Sequence, residues 1–127
     1  MYPVDLKYSK DHEWIRVDGK EVTIGITFHA QEAMGDVVFV ELPEVGDSFE
    51  SGESFANIES VKAVSDCYAP FGGTVTAVNE ALEDSPELIN TDPYGDGWII
   101  KMETGDLSVL DGLMSAQEYQ EFLKEEE

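Results

Sequence analysis

Between positions 43 and 73 the chain is broken by Pro43, Gly46, Gly52, Pro70, Gly72 and Gly73. The apolar runs left between these breakers, such as SFANI and TVTAV, are short, so this region reads as brief strands joined by tight turns. The spacing Pro-x-x-Gly occurs at 43–46 and again at 70–73, which suggests two similar strand sets on either side of the segment around Lys62.

The flanks agree with a β architecture. EWIRV, DGK and EVTIGIT form an expected hairpin: Val22, Ile24 and Ile26 alternate with period two, and Asp18-Gly19 supplies the turn. Thr27 is placed to cap a short helix over FHAQEAM, which Gly35 ends by taking the left-handed conformation; DVVFVEL then resumes extended structure. Ser85-Pro86 predicts a brief helix at PELI, with serine as N-cap and proline in the first helical position, and WIIKME reads as a last strand. Ser115 and Glu118 make a capping box for a C-terminal helix whose apolar stripe is Tyr119, Phe122 and Leu123, and the final EEE is expected to fray. With no linker long enough to divide it, the chain reads as one domain over 1–127, a mainly-β sandwich or barrel with small helical additions.

A chain of 127 residues buries roughly two thirds of the surface it exposes when unfolded, so a core is within reach. Its 42% hydrophobic and 28% charged content is globular, despite a formal charge of -21. That charge excludes nucleic acid and repels anionic membranes; the expected partners are proteins with basic faces, although solubility or salt adaptation explains acidity equally well. The single cysteine, Cys67, rules out an internal disulfide and a multi-cysteine zinc site. MYPVDLKYSKDHEW has no apolar signal core and no run approaches a membrane span, so a soluble cytoplasmic protein without a transit peptide is expected.

From 21 to 100 the chain carries sixteen of its 28 carboxylates but one Lys or Arg, which is Lys62 in NIESVKAVSDCYAP. Strand-like residues on both sides put it at a hairpin tip, extended into water. An exposed lysine is protonated at neutral pH, so it is a poor unaided nucleophile but a good acceptor for an enzyme that brings an activated acyl group and takes the proton. Alone, a lysine in a turn is ordinary surface, and an adaptor without a prosthetic group is the default for a small acidic β domain. An enzyme using Cys67 or a His-carboxylate pair has little support; no Gly-rich nucleophile turn accompanies Cys67 and no positive neighbour lowers its pKa. His12 and His29 lie in different elements without a third ligand at metal spacing, which argues against zinc.

The run Glu59-Ser60-Val61-Lys62-Ala63, with Gly52 upstream and Pro70 and Gly73 downstream, resembles the attachment hairpin of lipoate carriers. A biotin carrier is expected to have Met beside the lysine, where this chain has Val61 and Ala63. KYSKDHEWIRV, IGIT followed by HAQE, GDVVFVELPEVGD, ESVKAVSDCYAP, NEALEDSPELIN and DPYGDGW resemble, in order, the blocks of the glycine cleavage H-proteins. A lipoyl domain of a 2-oxoacid dehydrogenase is shorter and lacks the HEW block and the C-terminal helix. Two positions depart from the pattern: Phe28 stands where an acidic residue is common, and Cys67 replaces a usual aliphatic.

This resemblance implies a barrel-sandwich hybrid of the lipoyl-domain type, with two antiparallel sheets, short peripheral helices and a C-terminal helix. It implies lipoic acid joined by an amide to Lys62, on a carrier that does no chemistry of its own. The implied partners are pyridoxal-phosphate-dependent glycine decarboxylase, a tetrahydrofolate-dependent aminomethyltransferase, dihydrolipoyl dehydrogenase and the lipoate-attaching enzymes. A cleft for the arm is implied at Asp11, Glu13, Met34, Ala63 and Asp66, with His29 nearby, and Glu59 is a candidate for recognition by the lipoylating enzyme. A relay that donates lipoyl groups to other lipoate-dependent enzymes fits the same residues.

Overall fold

The computed structural model describes residues 2–104 and 107–126. A two-residue strand, β1 (Lys7–Tyr8), lies antiparallel on β2 (Glu13–Asp18), which turns through Gly19 into β3 (Glu21–Ile26) in unbroken register from Glu13↔Ile26 to Asp18↔Glu21. Alternation expected from the sequence therefore forms the hairpin. Trp14 sits opposite Gly25, where a β-carbon would stand 2.7 Å from the indole; the bare backbone lets the ring lie over it and donate from Nε1 to the Pro93 carbonyl at 2.8 Å.

Helix α1 (Phe28–Met34) starts as its cap predicts, with Thr27 Oγ1 accepting from the Ala30 amide at 3.2 Å. Its end differs from expectation. Gly35 has φ 80° and ψ -157°, which is the mirror image of extended backbone rather than the left-handed helical well, because the chain passes directly into β4 (Val37–Glu41).

Then come β5 (Ser48–Phe49), β6 (Ser54–Ser60), β7 (Val64–Tyr68), β8 (Gly73–Val78) and, after two short helices, β9 (Ile100–Glu103). A six-stranded antiparallel sheet runs β1-β2-β3-β9-β8-β5, and a three-stranded one runs β4-β6-β7. The two Pro-x-x-Gly segments are 70 - 43 = 27 positions apart. They lead into β5 and β8, which pair with each other, while the strands before them, β4 and β7, both flank β6. Val22, Ile24, Val40, Phe55, Ile58, Val75 and Ile100 belong to the common core.

The short helices are α2 (Ala81–Asp84), for which the sequence reading has no counterpart, and α3 (Leu88–Thr91). Ser85 does not cap a helix at Pro86: its amide closes α2 onto the Ala81 carbonyl at 2.8 Å, and α3 begins later without a side-chain cap. Likewise the last strand omits Trp98 and Ile99, whose amide instead donates to Ile24. A 3-10 turn (Leu107–Gly112) precedes α4 (Ala116–Glu126). The capping box forms, with Ser115 N–H to Glu118 Oε1 at 2.9 Å and Glu118 N–H to Ser115 Oγ at 3.2 Å. The helix runs through two of the three terminal glutamates expected to fray, and Glu127 lies outside the described residues. Tyr119 stacks on Tyr8 with ring centres 4.9 Å apart, in a second cluster with Leu6 and Trp14. Among the described residues no helix is long and apolar enough to cross a membrane.

Candidate functional site

Strands β6 and β7 meet at Ser60-Val61-Lys62-Ala63. Ser60 N–H donates to the Ala63 carbonyl at 2.8 Å, which leaves Val61 and Lys62 as a two-residue loop. Such loops usually recruit positive φ from Gly or Asn, yet neither Val61 nor Lys62 has it. The Ser60 hydroxyl braces the turn instead, accepting from the amides of Lys62 at 3.3 Å and Ala63 at 3.1 Å, while Val61 N–H donates to the Asp36 carbonyl at 3.0 Å. Sequence reasoning placed the hairpin but not this serine.

Lys62 is exposed, and among the described residues no carboxylate pairs with its ammonium. Its stem does not simply extend into water as expected. A β-carbon on Gly35 would meet Lys62 Cε at 3.4 Å and Cδ at 4.0 Å, so the methylenes rest over the bare backbone at the end of α1, a common way for a lysine to shelter its apolar stem.

Next to this turn runs a groove of ≈ 310 Å³ between α1, the 11–13 segment and β7. Asp11, Glu13, His29, Met34, Ala63 and Asp66 all line it, so residues far apart in sequence converge on one cleft beside Lys62. Ile26, Ala30, Ala33 and Ile58 make its walls largely apolar. Glu59 is not in the groove; it stands on the opposite, outward face of β6, opposed by Phe39 and Val64.

Glu13 is not the solvated carboxylate that its type suggests. It is 1% exposed, with Oε1 accepting from Ser9 Oγ at 2.8 Å and Oε2 from the Tyr68 amide at 3.0 Å. Burial pushes its pKa up to about 8, against the pull of those two hydrogen bonds and with a small further push from Asp11. Asp66 is exposed and accepts from Asn57 Nδ2 at 3.4 Å.

Of the lining residues that the sequence did not assign to the cleft, His12 and Cys67 carry titratable groups. His12 has φ 67°, in a loop where Ser9 accepts from its amide and donates to the Glu13 carbonyl. Its Nδ1 lies 2.7 Å from Tyr119 Oη, which also shares a 2.9 Å hydrogen bond with Thr27, tying α4 to the groove. The two imidazoles, separate in sequence, have centres 4.8 Å apart, yet among the described residues no three potential ligands gather to hold a metal. Cys67 is a buried strand residue, and burial raises its pKa far from thiolate reactivity at neutral pH.

Two antiparallel sheets of short strands, with a lysine displayed at a hairpin tip, define a barrel-sandwich protein of the lipoyl-domain type. Residues 6–126 match the family described as glycine cleavage H-protein. The chain is 60% identical over 126 residues to the glycine cleavage system H protein of Shewanella loihica, covering 98% of this chain and 97% of that one. It is 56% identical over 125 residues to the H protein of Halorhodospira halophila, covering 98% and 96%. A crystal structure of the H protein from Mycobacterium marinum superposes with a TM-score of 0.88 at 43% identity, over 96% of this chain and 98% of that one. The chain belongs to the glycine cleavage H-protein family, which supplies a carrier and not a catalyst.

Proposed function

We propose that this chain is a lipoate carrier of glycine cleavage in which Lys62 holds lipoic acid through an amide. The observation that carries this reading is the placement of an exposed, unpaired lysine on a braced turn at the mouth of an apolar groove with carboxyl groups. The residues fit the group: Lys62 offers the amine, Met34 and Ala63 line the wall near it, Asp11 and Asp66 are suited to a cationic end, and buried Glu13, protonated for the most part at neutral pH, adds a polar group to the same lining. When bound, the lipoyl group supplies a dithiolane that accepts an aminomethyl unit and is later reoxidised.

The chain's own work is positioning. The Ser60 hydrogen bonds hold the Lys62 backbone, which confines motion to the side chain. A lysine amide with an eight-carbon acyl chain spans about 10 to 15 Å, enough to enter a partner's channel or to turn back along the groove. The apolar walls suit the arm's carbon chain, and His29 stands beside His12 on the groove lining. Acylation would take the charge from -21 to -21 - 1 = -22, leaving an anionic surface for basic faces on glycine decarboxylase, aminomethyltransferase, dihydrolipoyl dehydrogenase and the lipoate-attaching enzymes. These partners and the acidic surface suit a cytoplasmic setting.

Intact mass tests the reading. Protein from lipoate-sufficient cells should be heavier by one lipoyl group, on the peptide containing Lys62, and Lys62→Arg should abolish the gain. A persistently bare peptide sinks the proposal. Lipoylated protein that fails to support glycine-bicarbonate exchange with glycine decarboxylase would instead favour the lipoyl relay.

A further inference from the structure

Five of the eight large apolar side chains that stand exposed among the described residues lie on or beside one hairpin, Tyr68 at its far end and four toward its tip: Val38 at 53%, Phe39 at 49%, Val61 at 69% and Val64 at 64%. Register explains the grouping. Phe39 opposes Glu59 and Glu59 opposes Val64, so the three form one row across β4, β6 and β7. Directly opposed residues share a sheet face. In the next row, Val40, Ile58 and Ser65, the two members on β4 and β6 are buried, which makes the Phe39 row the outward one. Val61 extends it to the turn, and Val38 adds to it at the bulge where the β4–β6 register shifts. Outward rows of a half-covered sheet are ordinarily polar, so an apolar row there marks a surface that something covers.

Charge and reach identify what covers it. The row contains Glu59, and the next outward row is Glu41, Asn57 and Asp66, the last of which, on the edge strand, also borders the groove. The fitting partner therefore offers an apolar centre and a cationic rim. An unmodified lysine extends only about 6 Å from its α-carbon, so an enzyme acting on its amine must press against the turn itself. Partners that meet a loaded arm can stand off by the arm's full length. We infer that the Phe39–Val64 row, with Val61 and Glu59, is the docking surface for the enzyme that acylates Lys62. This rests on the reading of Lys62 as the attachment site. In the step served, the Lys62 amine, having lost its proton to the enzyme, attacks the carbonyl of an acyl adenylate. The amide C–N bond forms, the C–O bond to phosphate breaks, and AMP leaves as the nitrogen's second proton passes to solvent.

The test is steady-state acylation of unmodified protein by a lipoate–protein ligase with lipoate and ATP, followed by intact mass. Phe39→Thr with Val64→Thr keeps β-forming residues at exposed positions, and a thermal melt checks the fold. The double variant should raise KM for the carrier at least tenfold with kcat little changed, and Val45→Thr, exposed at 62% away from this hairpin, should match wild type. Wild type acylated at Lys62, with the double variant equal to it, overturns the docking surface alone. Wild type that takes no acyl group overturns the attachment reading and this inference together. An unchanged ligase KM with a raised KM in glycine decarboxylase assigns the row to that enzyme and overturns the inference.

Discussion

The stem of Lys62 crosses Gly35, with Cε 3.4 Å from where a β-carbon on that glycine would stand. Gly35 also has φ 80° and ψ -157°, a region closed to L side chains. Gly35→Ala should therefore destabilise the protein by about 1 to 3 kcal/mol, chiefly through backbone strain. Urea denaturation measures this. A stability equal to wild type would show that the helix end relaxes freely.

Glu13 gives the protein a pH dependence of its own. Its ordinary pKa is 4.5 and its folded one is about 8, so the folded state binds more protons across that interval. The stability tied to protonated Glu13 is complete below pH 4.5 and is lost as pH rises through 8. Melting temperatures of wild type and Glu13→Gln, taken from pH 5 to 9, should diverge in slope: wild type falls toward the alkaline end and the variant loses that component. Parallel curves would refute it.

Ser60 is the brace of the presenting turn. Ser60→Ala removes its contacts with the Lys62 and Ala63 amides and should cost about 1 kcal/mol, since both are exposed. Hydrogen exchange at these two amides should quicken more than at the β6–β7 ladder. Uniform quickening along the hairpin would count against a local brace.

Tyr119→Phe deletes a hydroxyl that contacts His12 Nδ1 and Thr27 Oγ1. About 1 to 2 kcal/mol of stability should go with it, as partly buried partners lose a hydrogen bond. NMR shifts of His29, whose ring centre is 4.8 Å from that of His12, should move as well if α4 positions the groove lining. Perturbation confined to α4 would separate the two.

What was legible depended on how local the cause is. Thr27 capping α1, the Ser115–Glu118 box and the period-two run at Val22, Ile24 and Ile26 are each decided within a few residues, and each is where expected. The boundary at Ser85 was misread because α2 and α3 are single turns without side-chain caps, and their ends are set by packing around buried Leu82 and Ile89. No spacing rule joins Asp11, Met34 and Asp66; only the family resemblance grouped them, and chain folding brings them together. His12 in left-handed backbone and Ser9 bonded to Glu13 had no sequence signal beyond their places in one tight loop.

Strand β7 is the last strand of its sheet. Such a margin is a template onto which a foreign chain can stack, and proteins kept at high concentration must blunt it. Here Glu13 occupies the Tyr68 amide, while Ser65 and Asp66 present polar side chains along the same strand. The carboxyl group in the groove thus also takes one of the donors that a foreign strand would need along this margin, whether or not any cargo is aboard.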